Sequence, residues 1–170
     1  MGSRGSVIGL FKNQIQKGGP VTITNPDMTK YLMTIPQAVQ LVLGIVDNMQ
    51  GGEIFILKMP ICKLQDLMEV IIEHEAEKLG KNPKDIPIKK IGLRAREKIY
   101  EALMTEEAMN ALETSNSFIV LSDSNIPNFG SSTSVYKNAR KAIAEKYDSK
   151  HVTPLIKEEL RQFLLKGGLL

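Results

Sequence analysis

The stretch Pro20-Val21-Thr22-Ile23-Thr24-Asn25-Pro26-Asp27-Met28-Thr29-Lys30-Tyr31-Leu32-Met33-Thr34-Ile35-Pro36-Gln37-Ala38-Val39 holds most of the fold information in this chain. Val21 to Thr24 are all β-branched and predict a short strand. Asn25-Pro26-Asp27 predicts a turn, and residues 31–35 a brief extended apolar piece. Thr34 suits a helix cap and Pro36 the first turn of the helix it opens. Val39, Val42, Leu43, Val46 and Met49 then recur at helical spacing until Gly51-Gly52 ends the run.

Working outward, residues 7–16 predict a helix stopped by Gly18-Gly19-Pro20. Residues 53–57 read as a buried strand. Leu64, Leu67, Met68, Ile71, Ile72 and Leu79 form the apolar side of an amphipathic helix closed by Gly80. Residues 86–91 alternate as a strand would, residues 97–111 are helical in composition, and residues 118–121 read as another short strand. Residues 122–134, rich in Ser, Asn, Pro and Gly, predict a surface loop. A C-terminal helical tail over 135–170 is expected, with helices at 135–146 and 155–165, the second opened by Thr153-Pro154. Strands mixed with helices predict an α/β unit spanning residues 1–170 as one domain.

The chain has 170 residues, enough for a sizeable core, and its 42% apolar and 24% charged content is that of a soluble globular protein. A net charge of +3 could help attract an anionic ligand but argues weakly for nucleic acid. No aromatic residues alternate with a basic stripe, so nucleic-acid binding is not expected. Cys62 is the single cysteine, which rules out an internal disulfide and fits the cytoplasm. No apolar run reaches membrane-spanning length, and the start is not that of a signal peptide.

Catalytic signals are sparse. His74 and His151 lie far apart, and His74 sits among Glu73, Glu75 and Glu77 without the spacing of a metal-binding helix, so a solvated helix face is expected. Cys62 lacks a paired thiol or a neighbouring base and reads as a bystander. Gly2-Ser3-Arg4-Gly5-Ser6 could be an anion-binding loop before a helix. Its spacing fits neither a dinucleotide fingerprint nor a P-loop, and by spacing alone a flexible start or a remnant of cloning is favoured. Gly92-Leu93-Arg94-Ala95-Arg96-Glu97-Lys98 runs from a strand into a charge cluster. Arg suits phosphate oxygens and a carboxylate suits paired sugar hydroxyls. A surface salt-bridge cluster explains the same residues equally well.

Taken together these stretches resemble the polysaccharide-biosynthesis branch of the extended short-chain dehydrogenases, which includes UDP-N-acetylglucosamine 4,6-dehydratases. The family's Gly-Ser-Arg-Gly-Ser-Val-x-Pro-x-Phe is similar to Gly2-Ser3-Arg4-Gly5-Ser6-Val7-Ile8-Gly9-Leu10-Phe11, a register that argues against a cloning remnant. Its Pro-Val-Thr-Val-Thr-Asp-Pro-x-Met-Thr-Arg segment resembles Pro20 to Lys30, the most specific match. Gly52-Glu53-Ile54-Phe55 and the segment from Gly92 to Glu107 are similar to family segments, the latter to Gly-x-Arg-Pro-Gly-Glu-Lys-x-x-Glu. Tyr147-Asp148-Ser149 and Glu158-Glu159-Leu160 resemble the family's ending, so the likeness covers essentially the whole chain.

The resemblance implies the C-terminal, UDP-sugar-binding part of such an enzyme, without its N-terminal Rossmann domain. It places Arg4 and Ser6 beside the sugar and phosphates, and Val21 and Thr22 near the uracil through backbone groups. Lys30 stands where the family has an Arg that meets the pyrophosphate, keeping the charge but losing the bidentate fork. Arg94 and Glu97 are implied to contact pyrophosphate and ribose. Ala95-Arg96 replaces the family's Pro-Gly, which predicts a looser or differently shaped turn. The complete enzyme would use NADP or NAD to oxidise C4 of the sugar, eliminate water across C5 and C6, and return the hydride. No Gly-rich cofactor loop and no Tyr-x-x-x-Lys pair occurs in these residues, so no cofactor is expected on this chain alone and no catalytic residue is assigned. A UDP-sugar, a separate Rossmann-type subunit and a second copy of the chain are the expected partners. The face that would meet a cofactor domain should be apolar, and either exposed or buried by self-association.

Overall fold

The computed structural model describes residues 5–105, 111–121, 136, 138–142 and 147–170, and the expected loop at 122–134 lies outside them. The first helix, α1 (Val7–Gln16), has the predicted bounds and buries Ile8, Phe11 and Ile15 on one side. It leads into β1 (Val21–Ile23), followed by β2 (Thr29–Tyr31). Next come α2 (Ile35–Val46), β3 (Ile54–Leu57) and β4 (Ile61–Lys63). The strand β4 passes directly into α3 (Leu64–Lys78).

The main core lies among α1, β1 and α3, closed by α4 (Lys157–Lys166) through Leu160 and Leu164. Phe11, Ile15, Leu67 and Ile71 are fully buried there, each worth roughly 1.5–3 kcal/mol by removal from water. Polar contacts fix α4 on α3. Lys157 Nζ lies 2.7 Å from Glu69 and 3.0 Å from Glu73, and Arg161 also pairs with Glu73. The chain entering α4 is held by Glu159, which accepts the Ile156 N–H at 3.1 Å.

After α3, β5 (Ile88–Lys90) pairs in parallel with β1, placing Val21 beside Ile88 and Ile23 beside Lys90. This extends to the Ile91 N–H, which donates to Ile23 O at 2.9 Å. Antiparallel pairing joins β2 to β4, with Lys30 opposite Cys62. A second sheet has the order β3-β8-β7-β9, formed with β7 (Leu112–Glu113), β8 (Ser117–Val120) and β9 (Arg140–Lys141). A last antiparallel pair joins β6 (Ala102–Met104) to β10 (Tyr147–Asp148).

Two expected helices are corrected. Residues 97–105 contain no helix: residues 94–97 turn, and residues 102–104 form β6, because β10 supplies a strand partner far away in sequence. Within the expected helix at 135–146, Arg140 and Lys141 form β9 by pairing with β7. Tertiary pairing overrides local helical composition in both places. The expected helix at 155–165 is present as α4, two residues later at its start.

The helix α2 is well built and poorly covered. Thr34 and Gln37 cap it reciprocally, Gln37 N–H to Thr34 Oγ1 at 3.3 Å and Thr34 N–H to Gln37 Oε1 at 2.9 Å. Yet none of its residues is buried, and Val42, Leu43 and Val46 are each 60% or more exposed. An apolar face of α2 is therefore on the surface of this chain.

Candidate functional site

The β1–β5 pair organises the expected nucleotide-binding residues. Val21 is fully buried and its N–H donates to Pro87 O at 2.8 Å. The Thr22 N–H donates to Gln14 Oε1 at 3.0 Å, while Gln14 Nε2 donates to Thr22 Oγ1 at 2.8 Å. Both backbone donors expected to face a base are thus already used inside the chain. The approach of residue 19 to Pro87 is tight: a Cβ on Gly19, which has φ +86°, would lie 2.8 Å from Pro87 Cγ.

Both paired strands end near one turn. Arg94 O accepts the Glu97 N–H at 3.0 Å, and Arg96 sits at φ +70°. A four-residue turn with a positive φ at its third position is a type II turn, the shape a Pro-Gly pair favours. Ala95-Arg96 therefore keeps the turn that the sequence predicted to be looser or differently shaped, with a non-glycine residue in the left-handed region.

The Glu97 carboxylate is held from two sides. Arg94 N–H donates to Oε2 at 3.0 Å, and Thr24 Oγ1 donates to Oε1 at 3.3 Å. The Arg94 side chain is exposed. Thr24 stands one residue past β1 and is buried. In the sequence it stood only as the last residue of the β-branched run, within a family segment, with no role assigned.

Lys30, in β2, is half-buried and points to Glu101, with Nζ 2.6 Å from Oε1. Glu101 is itself anchored. Its N–H donates to Ser149 Oγ at 2.8 Å, and its carbonyl accepts the Ser149 N–H at 2.8 Å. Ser149 is buried and shares a 2.6 Å hydrogen bond with Thr29 Oγ1. Glu101 could have been found as the last residue of the family segment, whereas Ser149 stood in a matching segment with no role assigned.

Ser6 is the N-cap of α1, its Oγ accepting the Gly9 N–H at 3.5 Å. Arg4 lies outside the described residues. The structure thus joins Thr22, Arg94 and Glu97 through one strand pair, puts Lys30 on the neighbouring strand β2, and leaves Ser6 at the start of α1.

A separate groove of about 790 Å³ lies between α2 and the second sheet, lined by Leu41, Ile45, Phe55, Lys58, Asn116 and Tyr136 among others. None of the expected site residues lines it. Its cation is committed: Lys58 Nζ lies 2.7 Å from both Glu113 Oε1 and Thr114 O, and 4.9 Å from the centre of the Phe118 ring.

Among the described residues, the buried phenols are unsuited to act as proton acceptors. Burial raises the pKa of Tyr31, Tyr136 and Tyr147, with Glu53 adding to the rise at Tyr136. A phenol acting as a base would need the opposite shift. Burial pushes the Cys62 thiol up to about 12, leaving it a packed, unreactive group. His74 corrects the expectation of a solvated position: it is half-buried, its Nε2 has no hydrogen-bond partner, and burial lowers its pKa. No metal-binding cluster occurs among the described residues. Nor is any described helix long and apolar enough to cross a membrane.

A nicotinamide dinucleotide calls for a Gly-rich turn between strand and helix, and among the described residues neither the β2–α2 nor the β4–α3 junction carries a glycine.

The family model described as polysaccharide biosynthesis protein matches residues 1–122. An uncharacterized membrane protein of Methanocaldococcus jannaschii is 55% identical over 113 residues, covering 66% of this chain and 34% of that protein. A UDP-glucose 4-epimerase of Rickettsia akari is 35% identical over 170 residues, covering 97% of this chain and 46% of the epimerase. The X-ray structure of Pen from Bacillus thuringiensis superposes with a TM-score of 0.84 at 39% identity, covering 100% of this chain and 48% of Pen. The chain thus spans half or less of the length of each of these proteins.

Proposed function

The chain belongs to the polysaccharide biosynthesis protein family, and from that premise we propose that it is the UDP-sugar-binding part of a nucleotide-sugar 4,6-dehydratase or epimerase. The observation that carries this reading is the type II turn at residues 94–97, which stands at the end of the β1–β5 pair with its carboxylate already oriented. Arg94 supplies an exposed guanidinium for the pyrophosphate, Glu97 accepts the ribose hydroxyls, and Lys30 adds a second charge to the pyrophosphate. Thr22 walls the base and Ser6, at the start of α1, lies toward the sugar. Binding belongs to this chain; hydride and proton transfer belong to a Rossmann-type half, which binds NAD or NADP.

The test has two parts. Calorimetry with UDP should show weak binding that Glu97→Gln and Lys30→Met each reduce. Incubation with UDP-N-acetylglucosamine and NADP should give no dehydration product. Unchanged UDP binding in both variants, or turnover by the chain alone, would overturn the reading.

The exposed face of α2 favours a second reading, in which the chain is a subunit that binds UDP-sugars and pairs with a separate Rossmann-type protein or a second copy of itself. Sedimentation of the chain alone and with a Rossmann-type partner distinguishes the two kinds of assembly.

A further inference from the structure

We propose that Thr24 is a positioning residue of the nucleotide site, its hydroxyl fixing the Glu97 carboxylate in the orientation that accepts both ribose hydroxyls. The inference rests on the reading of Glu97 as the ribose acceptor. A carboxylate offers about four lone-pair sites, two on each oxygen. The protein fills one on each: Thr24 donates to Oε1 and the Arg94 N–H to Oε2. One site per oxygen remains, which matches the two O–H donors of a cis-diol.

Without Thr24, the orientation would rest on one backbone bond within the turn. Glutamate has freely rotating side-chain torsions, and ordering such a side chain costs entropy at the moment of binding. The turn is also less constrained than a Pro-Gly turn, because Ala95 does not fix φ and Arg96 occupies a left-handed conformation that disfavours side chains. Thr24 is well suited to compensate. It is only 8% exposed, and the adjacent bond from Ile91 N–H to Ile23 O ties its strand to the chain leading into the turn.

The experiment compares UDP with 2′-deoxy-UDP, titrated against the wild-type chain and against Thr24→Val, Thr24→Ser and Glu97→Gln. Valine keeps the shape of threonine but cannot donate. Thr24→Val should weaken UDP binding about 2- to 10-fold, the cost of ordering one side chain on binding, and weaken 2′-deoxy-UDP, which keeps only the 3′ hydroxyl contact, by clearly less. Thr24→Ser should restore the preference for UDP. Equal weakening toward both nucleotides, or no change, would overturn the proposal. If Glu97→Gln leaves the UDP preference intact, the reading of Glu97 fails and this inference with it. If Glu97→Gln abolishes the preference and Thr24→Val does not, only the role of Thr24 fails. Should Thr24→Val not fold, Thr24→Ala carries the same comparison.

Discussion

Lys30 Nζ lies 2.6 Å from Glu101 Oε1, so the cation proposed to meet a diphosphate is already held by a carboxylate in the free chain. An incoming diphosphate has to share or displace that carboxylate. Glu101→Gln should therefore tighten UDP binding about 2- to 5-fold, since partly exposed ion pairs are typically worth ~0–1 kcal/mol. Lys30→Arg should also tighten it, because a guanidinium can serve Glu101 and a phosphate together. Calorimetry at two salt concentrations checks both, and weaker binding in Glu101→Gln would show that the carboxylate positions Lys30 and does not compete for it.

Arg96 occupies the left-handed region at φ +70° with no glycine to ease it. Arg96→Gly should raise stability by about 0.5–1 kcal/mol, the strain relieved less the entropy glycine adds to the unfolded chain. Urea denaturation reads the change directly. A loss of stability would mean that the Arg96 side chain makes an interaction outweighing its backbone strain.

Substitutions on α2 and in the main core should separate cleanly. Val42→Glu and Val46→Glu lie on exposed positions and should change the stability of the isolated chain by less than ~0.5 kcal/mol. Both should reduce self-association in sedimentation and block pairing with a Rossmann-type partner. Phe11→Ala, in a side chain 1% exposed, should cost about 3–5 kcal/mol. Strong destabilisation by Val42→Glu would show that α2 packs in solution on a surface of its own chain.

Acid should loosen α4 from α3. The Lys157 hydrogen bond, helped by Gln65, holds the Glu69 carboxyl below its ordinary value. A lowered carboxylate contributes stability above its unfolded value of about 4.3 and loses it as pH falls through the folded one. The same contact holds the Lys157 ammonium above its ordinary value, so its share fades only at strongly alkaline pH. Urea melts at pH 7 and below pH 4 should differ less for Lys157→Met than for the wild-type chain. An identical acid slope in the two would show that other carboxylates carry it.

Elements whose stabilising contacts are local were legible in the sequence. The cap and proline of α2, the glycine stops of α1 and α3, and the β-branched run of β1 each act within a few residues of where they stand. Elements defined by distant partners were not. β6 exists because β10 pairs with it, and β9 because β7 does, so composition at 97–111 and 135–146 pointed to helices. The site divides the same way. Arg94, Glu97 and Lys30 are named by motif, whereas Thr24, Glu101 and Ser149 act through neighbours that only the folded chain brings near. Periodicity also marked the apolar stripe of α2 without saying whether anything would cover it.

The hydrogen bond between Thr29 and Ser149 joins residues 120 positions apart. Contacts of such long sequence separation form late, because closing the intervening loop costs entropy before it returns any interaction. The consequence is one of timing. During synthesis the β1 and β2 segments leave the ribosome well before Ser149 exists, so Thr29 spends that interval without its partner. Chains halted before Ser149 should therefore keep the early helices but lose the fixed geometry around Lys30, and the proposed nucleotide site is among the last parts of the molecule to mature.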